Sequence, residues 1–444
     1  MFYESIREAS MKIAVIGTGY VGLVTAAGLA DLGHDVTGAD KDGDKIKKIS
    51  WGDVPIYEPN LEELLKANQK RGNLTFSYDL NKTIQACDVI FVCVGTPQHE
   101  DGSADMSQIE EVSRMIAENL NKYKLVVEKS TVPVKTSAWI KRIISLYKKS
   151  DKEFDIASNP EFLREGSAVS DFLNPDRIII GVETERAKEI LVKIYQKFQD
   201  RILITNIDTA ELIKHASNSF LALKISYINL ISNICEKTDA DVELVAKGMG
   251  FDPRIGGRFL KAGLGYGGSC FPKDIKALTK IGEEMGVNMD LLKEADQVNA
   301  GRVKVFLEKV KKALWILKDK KIAVLGLAFK PETDDIREAA SIRIVQELIK
   351  EGSILRLYDP KAMDNMKEIF PEEHYRLSYS NSPYQAIEDA NALLIVTEWD
   401  EFRRLDLRKV KKVMANPIIV DGRNIFEPAD VREIGFEYYS IGRK

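Results

Sequence analysis

The stretch KIAVIGTGYVGLVTAAGLADLGHDVTGAD, residues 12–40, decides the fold. KIAVI (12–16) is a short apolar run with β-branched residues, GTGYVG follows it, LVTAAGLADLG reads as a helix ending at Gly33, and DVTGAD (35–40) reads as a second strand. Strand, glycine turn, helix and strand in that order make the opening unit of a dinucleotide-binding fold. Gly17, Gly19 and Gly22 permit a tight turn, close approach of a pyrophosphate and close helix–strand packing. The helix N-terminus behind them offers free N–H groups and partial positive charge. Asp40 ends the second strand 18 residues after Gly22. A carboxylate there accepts hydrogen bonds from a ribose diol and repels a 2′-phosphate, so the expected cofactor is NAD, not NADP.

Outward from this unit the pattern continues. DVIFVCVGTP (88–97), KLVVEKSTVP (124–133), DIASNPEFLREG (155–166) and RIIIGVE (177–183) supply further strands. The texture changes at about residue 206. TAELIKHASNSFLALKISYINLISNICEKTDAD (209–241) has no Pro or Gly, and Ile213, Ala216, Phe220, Leu223, Tyr227, Leu230 and Ile234 recur at three- and four-residue spacing. About 30 helical residues span roughly 45 Å, which suits a connecting spine or a dimer surface. At residue 321 the pattern restarts: KIAVLGLAFKP repeats KIAVIGTGYVG with apolar residues at matching places.

The expected fold is α/β, with two Rossmann-like doubly wound parallel-sheet domains joined by a central helical domain. The divisions are a leader over 1–10, a dinucleotide-binding domain over 11–205, the helical domain over 206–313 and the second α/β domain over 314–444. A chain of 444 residues has room for two or three domains. The second α/β domain lacks GxGxxG. Its loop carries Lys330 and Arg337, which suit a different anionic ligand.

Composition excludes several classes. Hydrophobic residues are 44%, charged residues 30% and the net charge is −4, so nothing points to nucleic acid. No run approaches the roughly 20 apolar residues of a membrane helix. MFYESIREAS contains no secretory apolar region. Cys87, Cys93, Cys235 and Cys270 form no CxxC pair and no Cys/His cluster of zinc-ligand spacing, so no metal site is expected and a reduced, cytoplasmic setting fits. Cys87 and Cys93 flank or enter an apolar run and read as core.

GLGYGGSCFPKD (263–274) carries the most chemistry. A phosphate loop needs no cysteine, a disulfide has no evident partner and a metal site has no companion ligands. A buried structural cysteine stays open as a reading. Against it, glycines flank the sulfur, and a helix beginning at Pro272 would put Cys270 near its N-terminus, where a thiolate is favoured. Lys214 and Asn218 are four apart and share a face of the long helix; alone, Lys214 reads equally as a snorkelling side chain. Since the dinucleotide phosphates have a place at 17–22, the glycines of 263–268 need not cradle them. A nicotinamide and a nucleophilic Cys together suit a four-electron oxidation of an alcohol through an aldehyde to an acid.

MKIAVIGTGYVGL, VGTP, EKSTVP, SNPEFLREG, ELIKHASNSFLALKISYINLISNIC, GGSCFPKD, GLAFKPETDDIRE and DGRNIF, in order from Met11 to about Ile425, resemble the UDP-glucose/GDP-mannose dehydrogenase family. GYGGSCFPKD looks like its UDP-glucose branch. The resemblance implies oxidation of a UDP-sugar at C6 to the uronic acid with two NAD⁺. It makes Cys270 the nucleophile and sets Lys214 and Asn218 to steady the oxyanion. Asp274, with water and Thr131, acts in proton transfer, and Glu161 assists thioester hydrolysis. The matching cofactor positions are Tyr20, Val21, Asp40, Lys45, Thr96, Thr131, Glu165, Lys273 and Arg337, with the three glycines. The matching sugar-nucleotide positions are Glu161, Phe162, Leu163, Arg164 and Glu165, Lys214 and Asn218, then Phe259, Leu260, Lys261, Ala262 and Gly263. Gly267, Phe271, Lys330 and Arg423 complete them, and Arg254 matches a residue that reaches the neighbouring subunit's substrate. A homodimer through the helical domain is implied. His215 departs from the family's usual small residue and reads as a core or surface histidine. The alternatives are the same chemistry on GDP-mannose or UDP-N-acetylmannosamine, a two-electron β-hydroxyacid dehydrogenase, and a nucleotide-sugar sensor without turnover.

Overall fold

A computed structural model describes residues 10–99 and 102–444, so residues 1–9 of the expected leader lie outside the described residues. The chain divides into two compact units. One runs up to Ser217 and includes Lys276–Glu284; the other comprises Asn218–Ile275 and Met285–Lys444.

The first unit holds an eight-stranded sheet of β1 (Lys12–Ile16), β2 (Asp35–Ala39), β3 (Leu74–Ser77), β4 (Val89–Val92), β5 (Lys124–Glu128), β6 (Phe154–Ser158), β7 (Ile178–Val182) and β8 (Ile202–Thr205). Their order is β3-β2-β1-β4-β5-β6-β7-β8. Side chains alternate between faces with period two. Ile13, Val15, Val89 and Phe91 therefore enter one apolar cluster, and Ala14, Ile16, Ile90 and Val92 enter another. A sheet covered on both faces explains why these strands read as unbroken apolar runs.

The first sheet is parallel except at one place: β7 pairs antiparallel with β6. An antiparallel return needs no crossover. Residues 159–177 therefore stay at the carboxyl end of the strands, where ligands of such sheets bind.

The second unit carries a six-stranded sheet of β9 (Lys321–Leu325), β10 (Ile354–Tyr358), β11 (Leu377–Tyr379), β12 (Ala392–Ile395), β13 (Ile418–Asp421) and β14 (Glu437–Tyr439). All its pairs are parallel, and its order β11-β10-β9-β12-β13-β14 repeats that of β1–β6. The repeat explains why the two KIAV runs match. In the second copy the acid that follows the second strand is already occupied. Asp359 follows β10 as Asp40 follows β2, but its Oδ2 accepts from Leu327 N, Ala328 N and Trp399 Nε1 at 2.7, 3.1 and 3.1 Å. Its Oδ1 accepts from Lys361 N and Ala362 N, both at 2.9 Å. A fully buried carboxylate so occupied has nothing left for a ribose.

The helices that matter for the site are α1 (Tyr20–Asp31), α2 (Ile207–Cys235, 29 residues), α3 (Phe271–Glu284) and α4 (Asp290–Leu314).

Candidate active site

In the first unit the glycine turn is tight for a steric reason. A Cβ on Gly22 would lie 1.8 Å from Gly17 O, so no other residue lets α1 start there. In front of Gly19 there is open space instead. No side chain caps α1, so its first N–H groups face outward for an anion. A cavity of about 600 Å³ opens beside the turn, lined by Gly17, Gly19, Asp40, Lys45, Tyr78 and Leu80 among others.

Asp40 Oδ2 accepts from Thr18 N at 2.9 Å, Thr18 Oγ1 at 2.8 Å and Lys45 Nζ at 3.0 Å. Burial works to raise the Asp40 carboxyl, but these bonds outweigh it and hold the group below its ordinary value. Asp40 Oδ1 carries one bond from Asp42 N, at 3.2 Å, and keeps acceptor capacity. Lys45 sits on Asp40, and Lys41, also at the cavity, lies 2.9 Å from Glu111. Both cations are thus matched by acids, a poor environment for an added 2′-phosphate and a good one for a diol. These residues fit NAD.

The strand ends of the same unit hold a buried ionic group. Lys214 Nζ, on α2, lies 2.8 Å from Glu161 Oε1, with each side chain 4% exposed. Glu161 Oε2 also accepts from Leu163 N at 2.5 Å, so the carboxylate is held at both ends. The Phe162 ring lies 5.4 Å from Lys214 Nζ and 3.9 Å from the Arg177 guanidinium carbon. Arg164 turns to Asp171 in a two-pronged pair at 2.5 and 3.0 Å. Glu165 is half-buried in the same turn. Thr96 Oγ1 donates to Thr131 O at 3.0 Å, and buried His215 contacts Val132 O through Nε2 at 2.7 Å. His215 is therefore a core residue that steadies the Thr131 turn.

Sequence reasoning passed over three groups here. Glu58 is buried and accepts from Gly166 N at 2.6 Å and Ala168 N at 2.7 Å, with Tyr20 Oη also bonded to it. It ties the cofactor turn to the end of PEFLREG. Lys129 is buried and donates to Asn159 O at 3.2 Å and Oδ1 at 3.1 Å. Burial pushes its ammonium down to about 8, against the opposing pull of Cys93 and Glu161. Glu128 is raised well above the usual carboxylate range by burial, and Glu211 adds to the rise. The signal for all three was a charged residue inside or next to an apolar or glycine-marked segment.

In the second unit Cys270 immediately precedes α3, which begins at Phe271, one residue earlier than expected. Asp274 N donates to Cys270 O at 2.8 Å, closing the first turn. Asp274 is fully buried. Asn218 Nδ2 donates to its Oδ2 at 2.6 Å, and Lys273 Nζ lies 2.9 Å from its Oδ1. Cys87, Cys93 and Cys235 are buried while Cys270 is partly open, and none of the four is in a disulfide. Burial pushes Cys87 up to about 11 and Cys93 up to about 12. Cys270 is the most open of the four.

The glycines before it lie close to protein. Gly265 has φ +83°, and a Cβ there would lie 2.1 Å from Asn299 Oδ1; on Gly267 it would meet Glu338 O at 2.5 Å. Phe271 lies between Phe259 and Tyr266, with ring centroids 6.2 and 6.0 Å away. Leu260 and Ala262 are buried, and Lys261 is exposed. Arg423 donates to Val396 O, Gly265 O and Phe329 O at 2.7, 3.2 and 3.1 Å. Its guanidinium anchors the glycine loop to the sheet. Lys330 is half-buried with Nζ 5.3 Å from the Phe329 ring centroid. Arg337 pairs with Asp335 at 2.7 Å while its carbonyl accepts from Gly268 N at 2.8 Å. Arg254 pairs with Asp252 at 2.5 Å with its side chain 87% exposed.

A glycine turn with open space before it, an acid ending the second strand and an accessible thiol at a helix N-terminus define an NAD-dependent oxidoreductase of the Rossmann type. Three segments of the chain match models of one family. They are an NAD binding domain over residues 11–199, a central domain over 208–301 and a UDP binding domain over 323–428. The chain belongs to the UDP-glucose/GDP-mannose dehydrogenase family. It is 43% identical over 432 residues to the UDP-glucose 6-dehydrogenase TuaD of Bacillus subtilis, covering 97% of this chain and 93% of that protein. It is 45% identical over 440 residues to a UDP-glucose 6-dehydrogenase of Rhizobium meliloti, covering 98% of this chain and all of that one. The structure of a UDP-glucose dehydrogenase from Pyrobaculum islandicum superposes with a TM-score of 0.91 at 36% identity, over 98% of both chains. No helix among the described residues is long and apolar enough to cross a membrane.

Proposed function

We propose that this chain oxidises UDP-glucose at C6 to UDP-glucuronate, consuming two NAD⁺ and one water and releasing two NADH and three protons. The carrying observation is Cys270: a partly open thiol at the start of α3, with the buried Asp274 one turn behind it. Its 42–45% identity to several UDP-glucose 6-dehydrogenases supports UDP-glucose as the sugar nucleotide.

When bound, NAD⁺ supplies the hydride acceptor for two successive two-electron oxidations. The chain's own residues do the rest. As the family resemblance implies, Asp274 receives the C6 hydroxyl proton through water, together with Thr131. Cys270 Sγ then forms a bond to the aldehyde carbon, and Lys214 and Asn218, one turn apart on α2, donate to the oxygen that gains charge. Oxidation of that adduct leaves a thioester on Cys270. Water adds to the thioester carbon, the C–S bond breaks and sulfur leaves as thiolate, with Glu161 assisting through water. Glu161 suits that task because Lys214 and Leu163 N fix its carboxylate. The four cysteines, none in a disulfide, suit a reducing, cytoplasmic compartment.

The test is a panel of UDP-glucose, GDP-mannose and UDP-N-acetylmannosamine compared by kcat/KM, with NADH counted per sugar. UDP-glucose is expected to lead with two NADH per molecule. One NADH per molecule would sink the four-electron reading, and a different leading sugar would sink the substrate.

The same reading includes a homodimer through α2. Phe220, Tyr227, Leu230 and Ile234 follow one another at helical spacing and are 60%, 46%, 48% and 56% exposed. A continuous apolar face of this kind is a docking surface, and a second copy of the same helix is its natural cover in a two-fold arrangement. Phe220→Asp combined with Leu230→Asp is expected to yield a monomer by analytical ultracentrifugation. A parent protein that sediments as a monomer at micromolar concentration would refute the dimer.

A further inference from the structure

In the loop that leads to Cys270, two residues have their backbone held by side chains. Gly263 N donates to Asn229 Oδ1 at 2.9 Å, and Gly263 O accepts from Arg302 Nε at 3.0 Å. Three residues on, Tyr266 N donates to Asn299 Oδ1 at 2.8 Å, and Tyr266 O accepts from Asn299 Nδ2 at 3.0 Å. Both backbone groups of each residue are thus held by side chains from α2 and α4. Loop backbone is ordinarily satisfied by water or by its own turns.

Arg302 is the unusual member. It is 2% exposed. Among the described residues no carboxylate lies within ion-pair distance of it; its remaining bonds go to Asn229 O, Asn233 Oδ1 and Ser232 Oγ at 3.2, 2.8 and 3.3 Å. Burial pushes the guanidinium down to about 10. A buried ion is a poor way to gain stability, because apolar side chains of equal volume often serve as well or better. What a planar guanidinium offers is direction: several charge-assisted bonds at fixed angles from one rigid group. Gly265, between the two held residues, leaves no space for a Cβ against Asn299, so the loop has one way to lie.

We propose that Arg302, Asn299 and Asn229 form a positioning clamp that fixes the backbone of Gly263–Tyr266 and, four residues on, the attack geometry of Cys270. The clamp touches neither sugar nor cofactor in this assignment, and it rests on the reading of Cys270 as nucleophile.

The test compares Arg302→Lys, which keeps the charge and loses the fork, with Asn299→Ala. Each is measured for thermal unfolding, for kcat and KM, and for the pH profile of Cys270 alkylation by iodoacetamide without substrate. Both variants are expected to stay folded, to lose kcat about tenfold or more with KM for UDP-glucose within about threefold, and to show a displaced alkylation profile. A folded variant with kcat and alkylation profile within about twofold of the parent overturns the clamp. So does failure of both variants to fold, which would make the group a folding element. Failure of the nucleophile reading looks different: Cys270→Ser would still yield two NADH per sugar, whatever the clamp variants do.

Discussion

Cys270→Ser is expected to stop net formation of UDP-glucuronate, lowering overall turnover on the order of 10³-fold or more. Serine fills the same place before α3 and keeps the loop, so binding of NAD⁺ and UDP-glucose should persist. What is lost is the stronger sulfur nucleophile and a sulfur that leaves readily when water adds to its acyl adduct. The first oxidation, of alcohol to aldehyde, needs a base and a hydride acceptor but no sulfur, so any residual NADH should approach one per sugar. Product analysis by mass spectrometry together with NADH counting separates the two oxidations. Parent-level production of the uronic acid by Cys270→Ser would remove the thiol from the mechanism.

Much of this architecture was legible because its determinants are local. The span from Lys12 to Asp40 contains a strand, its turn, its helix and the acid that ends the next strand, all within one βαβ unit. The repeat at 321 was legible for the same reason, and the strand order bears it out. What local pattern cannot supply is pairing at a distance. Glu161 meets Lys214 across 53 residues and Asn218 meets Asp274 across 56, so their roles came from resemblance and their contacts from the structure. The reversal of β7 escaped because a buried apolar strand reads alike in either direction. Arg302 escaped because an arginine on an amphipathic helix looks like a solvated face. Its burial follows from the opposite helix, which presents Asn229, Ser232 and Asn233. The glycines of 263–268 show the limit of composition: their density signals close approach, but it does not say that Asn299 lies against Gly265 and Glu338 against Gly267.

The Glu161–Lys214 pair allows stability and catalysis to be separated. Both side chains are 4% exposed and 2.8 Å apart, so Lys214→Met leaves a buried carboxylate without its cation. Breaking such a pair costs about 3–5 kcal/mol, which should lower the apparent melting temperature visibly. Activity should fall by on the order of 10²–10³-fold, the usual effect of removing one oxyanion donor. The double variant Glu161→Gln with Lys214→Met removes the stranded charge. Glutamine can still accept from Leu163 N, the bond Glu161 now makes at 2.5 Å. The double variant should therefore recover most of the lost stability, since replacing both ions is far cheaper than removing one. Catalysis should not recover, because neither the cation at the developing oxyanion nor the carboxylate for thioester hydrolysis returns. Thermal unfolding and steady-state NADH production on the three variants read the two quantities independently. If activity rose in step with stability, the pair would be a structural tie, and the oxyanion role of Lys214 would have to pass to Asn218 alone.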